Sequence, residues 1–400
     1  MADVRPFSAL RPQAQLASKV IAPPYDVLTD SEARAIAQER MSFVRVTRSE
    51  VDLPLGTDSH SAQAYEQAKT TLDQLIADGI LQLDAEPTYY FYGQKMGDHE
   101  QIGILAAASV DEYDQNLIKK HEYTRPDKED DRTQHMDTID AQVGLVFLTY
   151  AATPTLSALT QQVAALAPAW QTTTDDQVEH RFWPAPLHLV DAIKDAFDAV
   201  PALYIADGHH RSAAASRIHE LRKSERSTHF LAGLFPDDQL YVMAYNRVLH
   251  DLNGHSAEDF FTKVGQAFTI SPALSPTPSK RGTYTMYLEG TWYSLRAKPG
   301  LFDPSDPVTS LDVSVLQDHL LQPLLGIDDP RRNTRIDFVG GIRGHQALSA
   351  AVDSGKAVAF HLFPTGLDQL FAVADKGEVM PPKSTWFEPK LREGVVVRKL

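Results

Sequence analysis

Five consecutive residues, Asp207, Gly208, His209, His210 and Arg211, bring together a carboxylate, a glycine, two imidazoles and a guanidinium. Such residues add little to an apolar core, but they suit a site that holds something polar. Their flanks indicate how they are positioned. Leu203 to Ala206 reads as a short buried strand and Ser212 to Glu220 is rich in helix formers, so the five residues occupy a turn between strand and helix. A helix start presents unpaired amides and the positive end of the helix dipole, and Gly208 permits close backbone approach. With Arg211 and two imidazoles added, this chemistry suits phosphate oxygens. A second reading keeps the same residues inside the fold: Asp207 caps the helix, the histidines hydrogen-bond locally and Arg211 makes a salt bridge. A transition-metal site is not expected, because adjacent histidines on a tight turn rarely aim at one ion and no third ligand follows at a diagnostic spacing.

Other residues with chemical potential are spread along the chain. His121 and Glu122 precede "YTRPDKEDDR", where Thr124 is expected to cap a helix whose first turn holds Pro126 and Asp127. Glu122 could accept a proton there, or be one more solvated acid in a charged stretch; Lys119, Lys120 and Arg132 surround it. Asn246 and Arg247, at a strand end, offer a carboxylate clamp or an ordinary ion pair. Lys383, Ser384 and Thr385 supply an amine and two hydroxyls, or a plain loop after Pro381 and Pro382. Tyr25 and Asp26 lie in "VIAPPYDVLT", which reads as a strand leaving into a fixed, extended loop.

The elements that must position these residues come from a chain of 400 residues, 43% hydrophobic and with net charge -15. It is long enough for two or three domains. The charge repels a polyanion, so no nucleic-acid partner is expected. No membrane partner is expected either, because no apolar stretch approaches the ~20 residues of a membrane span and the start lacks a signal-peptide pattern; a cytoplasmic location is the default. The absence of cysteine excludes disulfides, thiolate metal sites and cysteine nucleophiles. "HSAQAYEQAKTTLDQLIADGI" has helical apolar spacing. "TYYFYGQKMGDHEQIGILAAASVDEY" predicts a hairpin turning at "KMGDHEQ", and "LAGLFPDDQLYVMAYNRVL" predicts another turning at "PDDQ". The proline-rich "ISPALSPTPSKRGTYTMYLEG" reads as a junction. Three regions are therefore expected: an N-terminal α/β region over 1–109, a phosphate-binding core over 110–250 and a C-terminal α/β region over 251–400 that contributes to the active site.

"DGHHRSAAA" resembles the phosphate-binding signature of the ParB/sulfiredoxin superfamily. The cysteine that sulfiredoxins need is absent, and the basic helix-turn-helix domain of DNA-partitioning ParB proteins is not found. The free-serine kinases of this superfamily are similar at three separated places, here His121-Glu122, Asp207 to Arg211, and Pro382 to Thr385. With "APPYDV" and "KSTWFEPKL" included, nearly all of the chain resembles a longer microbial family, the domain-of-unknown-function-1015 family. The resemblance implies an α/β (α+β) fold with a ParB/sulfiredoxin-like core and additions at both ends. It implies a phosphotransferase with an alcohol acceptor, a small-molecule kinase of serine metabolism that converts free L-serine to O-phospho-L-serine. The donor would be pyrophosphate, ADP or ATP, and Mg2+ is the expected cofactor. Glu122 would act as base, Asp207 to Arg211 would hold donor phosphates, and His121, Asn246, Arg247, Lys383, Ser384 and Thr385 would bind substrate, with Tyr25 and Asp26 as possible additions. Two other functions fit the same residues: a non-catalytic nucleotide-binding switch and a phosphatase acting on phosphoserine or a similar metabolite. The sequence assigns no oligomeric state.

Overall fold

Runs of alternating or continuous apolar residues form the strands of two large sheets, accompanied by three two-stranded ones, in the computed structural model, which describes residues 2–400. The chain divides into two units, Met1–Leu240 with Pro389–Leu400, and Tyr241–Glu388.

The first unit is built on a nine-stranded mixed sheet. Its strands are β1 (Val4–Arg5), β2 (Tyr90–Met96), β3 (His99–Ser109), β4 (Ile118–Lys119), β5 (Val146–Tyr150), β6 (Trp170–Thr173), β7 (Val178–Pro184), β8 (Leu203–Asp207) and β9 (His229–Pro236). They lie in the order β4-β8-β5-β9-β3-β2-β7-β6, with β1 against β3. β5 and β9 are buried along their whole length, as continuous apolar runs in the middle of a covered sheet should be. The expected hairpin is β2–β3, with Met96 opposite His99 and Gly97 at a positive φ of 59° in the turn.

Three helices matter for the site: α1 (Ala62–Ala77), α2 (Pro126–Ile139) and α3 (His209–Arg222). α1 buries Tyr65, Ala68, Leu72 and Leu75, the stripe its sequence spacing predicts, and Ser61 caps it by accepting from the Ala64 amide at 3.3 Å. α2 starts with Pro126, whose missing amide hydrogen costs nothing at that position. Its cap differs from the expectation. Arg125 is the N-cap and makes no side-chain cap bond, while the Thr124 hydroxyl, one residue too early, hydrogen-bonds to Glu129. α3 follows the strand as expected, and its small residues Ala213 and Ala215 pack into the core with Val146, Leu148, Ile205 and Phe230.

The "PDDQ" stretch does not turn a hairpin. β9 stays in the first sheet, Tyr241–Met243 pairs with Trp386–Glu388, and Tyr245–Leu249 becomes a strand of the second unit. Turn residues encode a change of direction, whereas long-range packing selects the strand that pairs afterwards. The second unit holds β10 (Tyr245–Leu249), β11 (Phe268–Pro272), β12 (Thr283–Leu288), β13 (Thr291–Ala297), β14 (Ile336–Gly340) and β15 (Val358–Leu362), in the order β11-β13-β12-β15-β10-β14. The proline-rich stretch links β11 to β12 within this sheet and is an internal loop. The division also differs from the three regions read from the sequence. β3 ends at Ser109 but pairs with β9 across the boundary placed there, and the last twelve residues return to the first unit. Among the described residues, no helix is long and apolar enough to cross a membrane.

Candidate functional site

The site begins with a pair of parallel strands at a sheet edge. β4 runs parallel to β8, with Ile118 beside Leu203 and Lys119 beside Tyr204. Parallel strands end on the same side, so the residues leaving β4 and β8 emerge next to each other, His121 and Glu122 from one and Asp207 to His209 from the other. This is the side of an open α/β sheet on which ligands characteristically bind. β8 carries a register irregularity between Ile205 and Asp207, which re-aims the chain just before the turn. Gly208 then takes φ 95°, ψ 27°, a left-handed conformation that costs glycine little, and α3 starts at His209.

The two histidines of the turn hold the upstream segment in place. The His121 amide donates to His209 Nε2 at 3.4 Å, and the Arg125 amide donates to His210 Nε2 at 3.0 Å. The rings of His121 and His209 meet edge to face, with centroids 4.5 Å apart. Ligand atoms of His121, Glu122 and His209 all lie within 4.8 Å of one another. His121 and His209 are buried while Glu122 is partly exposed, so the cluster has one face toward solvent. Burial disfavours the charged imidazolium, lowering His121 to about 4 and His209 well below its ordinary value. Both rings are neutral at pH 7. Three side chains from two segments thus form the constellation for which the sequence offered no third member.

Asp207 and Arg211 are tied down by the chain's C-terminal return. Asp207 Oδ1 accepts from the Gly208 amide at 2.8 Å, and Lys390 Nζ lies 2.9 Å from Oδ2. Burial alone would raise this carboxyl, but Lys390 and then Arg211 hold it well below the usual carboxylate range. Arg211 turns into the protein. Its Nη1 donates to the Leu145 carbonyl at 2.8 Å and its Nη2 pairs with Glu393 at 3.2 Å, with Asp26 at 3.9 Å. Glu393 is positioned by a β-bridge to Ala22, which sets the Tyr25–Asp26 turn alongside. Tyr25 lies between two guanidinium groups, Arg132 at 4.0 Å and Arg211 at 5.5 Å from its ring centre. Burial pushes Glu393 up to about 7, against the pull of Arg211. A cavity of about 30 Å³ lies among Tyr25, Arg132, Arg211 and Glu393. By volume it suits about two water molecules and no nucleotide. The sequence reading placed Arg211 and Tyr25 as candidates but missed Lys390 and Glu393. Their signal was the cluster of charged residues in "EPKLREG", close to the C-terminal end of the chain.

The remaining candidates lie in the second unit. Asn246 and Arg247 are neighbours on β10, so strand alternation sends them to opposite faces and they do not form one clamp. Asn246 Oδ1 accepts from the Leu362 amide at 3.1 Å. Arg247 is buried against the Phe338 ring at 4.8 Å and donates to the Pro382 carbonyl at 3.5 Å. No carboxylate pairs with it among the described residues, and burial lowers it to about 10. Lys383, at φ 59°, extends over the Tyr245 ring at 5.3 Å, while Ser384 donates to the Pro381 carbonyl at 2.5 Å. Arg247 and the loop from Pro381 through Thr385 therefore meet within this unit. Lys119 and Lys120 rest over the rings of Tyr204 and Tyr113.

Similar solved structures have low identity and low structural overlap. A free serine kinase in complex with AMP is 10% identical, with TM-score 0.36, over 71% of this chain and 86% of that one. A truncated SbnI from Staphylococcus aureus is 12% identical, with TM-score 0.40, over 72% and 84%. A conserved hypothetical protein from Pyrococcus furiosus is 10% identical, with TM-score 0.35, over 71% and 90%. No curated protein matches the sequence significantly. Residues 4–314, most of the chain, match the family described as "Protein of unknown function (DUF1015)", and the chain belongs to that family.

Proposed function

We propose that the first unit transfers a phosphoryl group to the hydroxyl of a small metabolite, with free L-serine as the first acceptor to test. The observation that carries this reading is the Glu122 carboxylate at the start of α3, held there by the parallel ends of β4 and β8. A hydroxyl is a weak nucleophile, so a carboxylate within reach can take its proton as the new bond forms. The other demand of phosphoryl transfer is placement of charge, which the amides and dipole of an α3 start opened by Gly208 are suited to meet. His209 and His210 keep the Glu122 segment against that helix start, and the ring nitrogens not engaged by the upstream amides can donate to phosphate. Arg211 has a different role from the other four turn residues: it anchors α3 to Glu393, while Asp207 is oriented by Lys390. Mg2+ carried in on donor phosphates would neutralise phosphate charge, with Asp207 as an oxygen ligand on this edge. Serine as acceptor is supported by the three motifs shared with free-serine kinases, and pyrophosphate, ADP and ATP are the donors to compare.

The test is a matrix of these three donors against serine and related hydroxylated metabolites with Mg2+, following the phosphorylated product by mass spectrometry. Glu122→Gln keeps the side chain's size but cannot accept the proton. It is expected to lower turnover by roughly 10²–10⁴-fold while donor affinity stays within a few-fold. No product from any pair ends the proposal. Near-normal turnover in Glu122→Gln removes Glu122 as the base. Tight nucleotide binding without product would favour a binding switch.

A further inference from the structure

We propose that His121, Glu122 and His209 form a binding site for a transition-metal ion of the zinc class. The ligand types suit it: two imidazoles and one carboxylate are a common three-ligand set for zinc, which leaves a fourth position for water or substrate. Mg2+ prefers oxygen donors in octahedral array, so the two imidazoles favour zinc or cobalt over magnesium. The three ligand atoms lie within 4.8 Å of one another. Metal–ligand bonds of about 2.0–2.1 Å in a tetrahedron set ligand atoms roughly 3.4 Å apart, so closing the site takes movements of about 1.5 Å or less. The means for that movement are visible. His121 and His209 are buried and fixed against each other, whereas Glu122 is partly exposed on an irregular segment between β4 and α2.

A second observation points the same way. His121 Nδ1 is buried without a hydrogen bond of normal geometry, an uncommon state for a polar atom in a folded interior. His121 itself is only 2% exposed. The bond on the neighbouring ring, from the His121 amide to His209 Nε2, is long at 3.4 Å and is a small loss if that nitrogen turns to a metal. The parallel strands that align the two segments supply the preorganisation, since neither segment alone holds three ligands.

The proposal shares Glu122 and His209 with the transferase reading, and a carboxylate held by the metal is not free to take a proton, so the test measures binding with no donor or acceptor present and each reading can fail without deciding the other. The full chain, stripped with a chelator, is titrated with Co2+ while its visible absorption is followed, and Zn2+ is then added as competitor. One Co2+ per chain is expected, with the intense absorption of a site of low coordination number, displaced by equimolar Zn2+ and unaffected by a large excess of Mg2+. Glu122→Gln, at the partly exposed position, is expected to fold normally and weaken Co2+ binding at least tenfold. His121→Gln should do the same and shift the spectrum. Absence of stoichiometric binding overturns the proposal, as does binding that neither variant changes, which would place the ion on other histidines. If His121→Gln fails to fold, Glu122→Gln alone decides the matter. Displacement of Co2+ by Mg2+ at equal concentration would also refute the assigned class.

Discussion

Arg211→Met tests whether the turn's arginine is an anchor. The guanidinium is 16% exposed and its partner Glu393 2%, at 3.2 Å, so the pair is shielded from water. Removing one member of a buried pair costs about 3–5 kcal/mol, because the other charge stays buried and unpaired. Here the orphan has a way out. Burial already raises Glu393 to about 7 beside Arg211, so without the arginine it should rise further and take up a proton. A raised carboxyl contributes stability that is present below the unfolded value and lost as pH climbs through the folded one. The variant keeps the proton that the parent releases around pH 7, and its deficit should grow by about 1.4 kcal/mol between pH 6 and pH 8. The expected loss is therefore about 3 kcal/mol or more at pH 8 and at least 1 kcal/mol smaller at pH 6. Urea unfolding by circular dichroism at both pH values measures it, with hydrogen exchange in α3 reporting on the first unit. In the double variant Arg211→Met, Glu393→Gln, the pH dependence should vanish and part of the loss be recovered. A loss below 1 kcal/mol at pH 8, or equal losses at both pH values, would refute the buried-pair argument.

Acid should destabilise the first unit through its buried histidines. His121 and His135 are lowered to about 4, His180 to about 3, and His209 is well below its ordinary value, all by burial. Each contributes stability that is intact above pH 6.5 and lost as pH falls toward the folded value, by up to ~1.4 kcal/mol per pH unit, while Glu393 and Glu112, whose carboxyls burial raises, work in the opposite sense. A urea midpoint that stays flat from pH 7 to 5 would contradict this. Gly208→Ala places a side chain at φ 95° with its Cβ 3.4 Å from Val146 Cα, so a loss of about 1–2 kcal/mol is expected, with weakened donor binding. Unchanged stability and unchanged donor affinity by calorimetry would argue against a strained, ligand-facing turn.

Local chemistry made much of this protein legible in its sequence. The spacing of Tyr65, Ala68, Leu72 and Leu75 identified α1, the glycine and polar residues after Met96 identified the β2–β3 hairpin, and the change from LYIA to SAAA bracketed the 207–211 turn. These features depend on neighbours within a turn or two of the chain, where periodicity and backbone preference act. Tertiary structure decided the rest. "PDDQ" reads equally well as a hairpin or as the passage between units, because a turn does not carry the identity of its partner strand. Thr124 had the right type for a cap but stood one residue from the position whose backbone opens the helix. Asn246 and Arg247 are adjacent in sequence and separated by strand alternation, whereas His121 and His209 are far apart in sequence and meet because β4 and β8 run parallel. Arg211 found Glu393 only because the last residues return to the first unit, and pairings of that range are set by burial and shape across the whole fold.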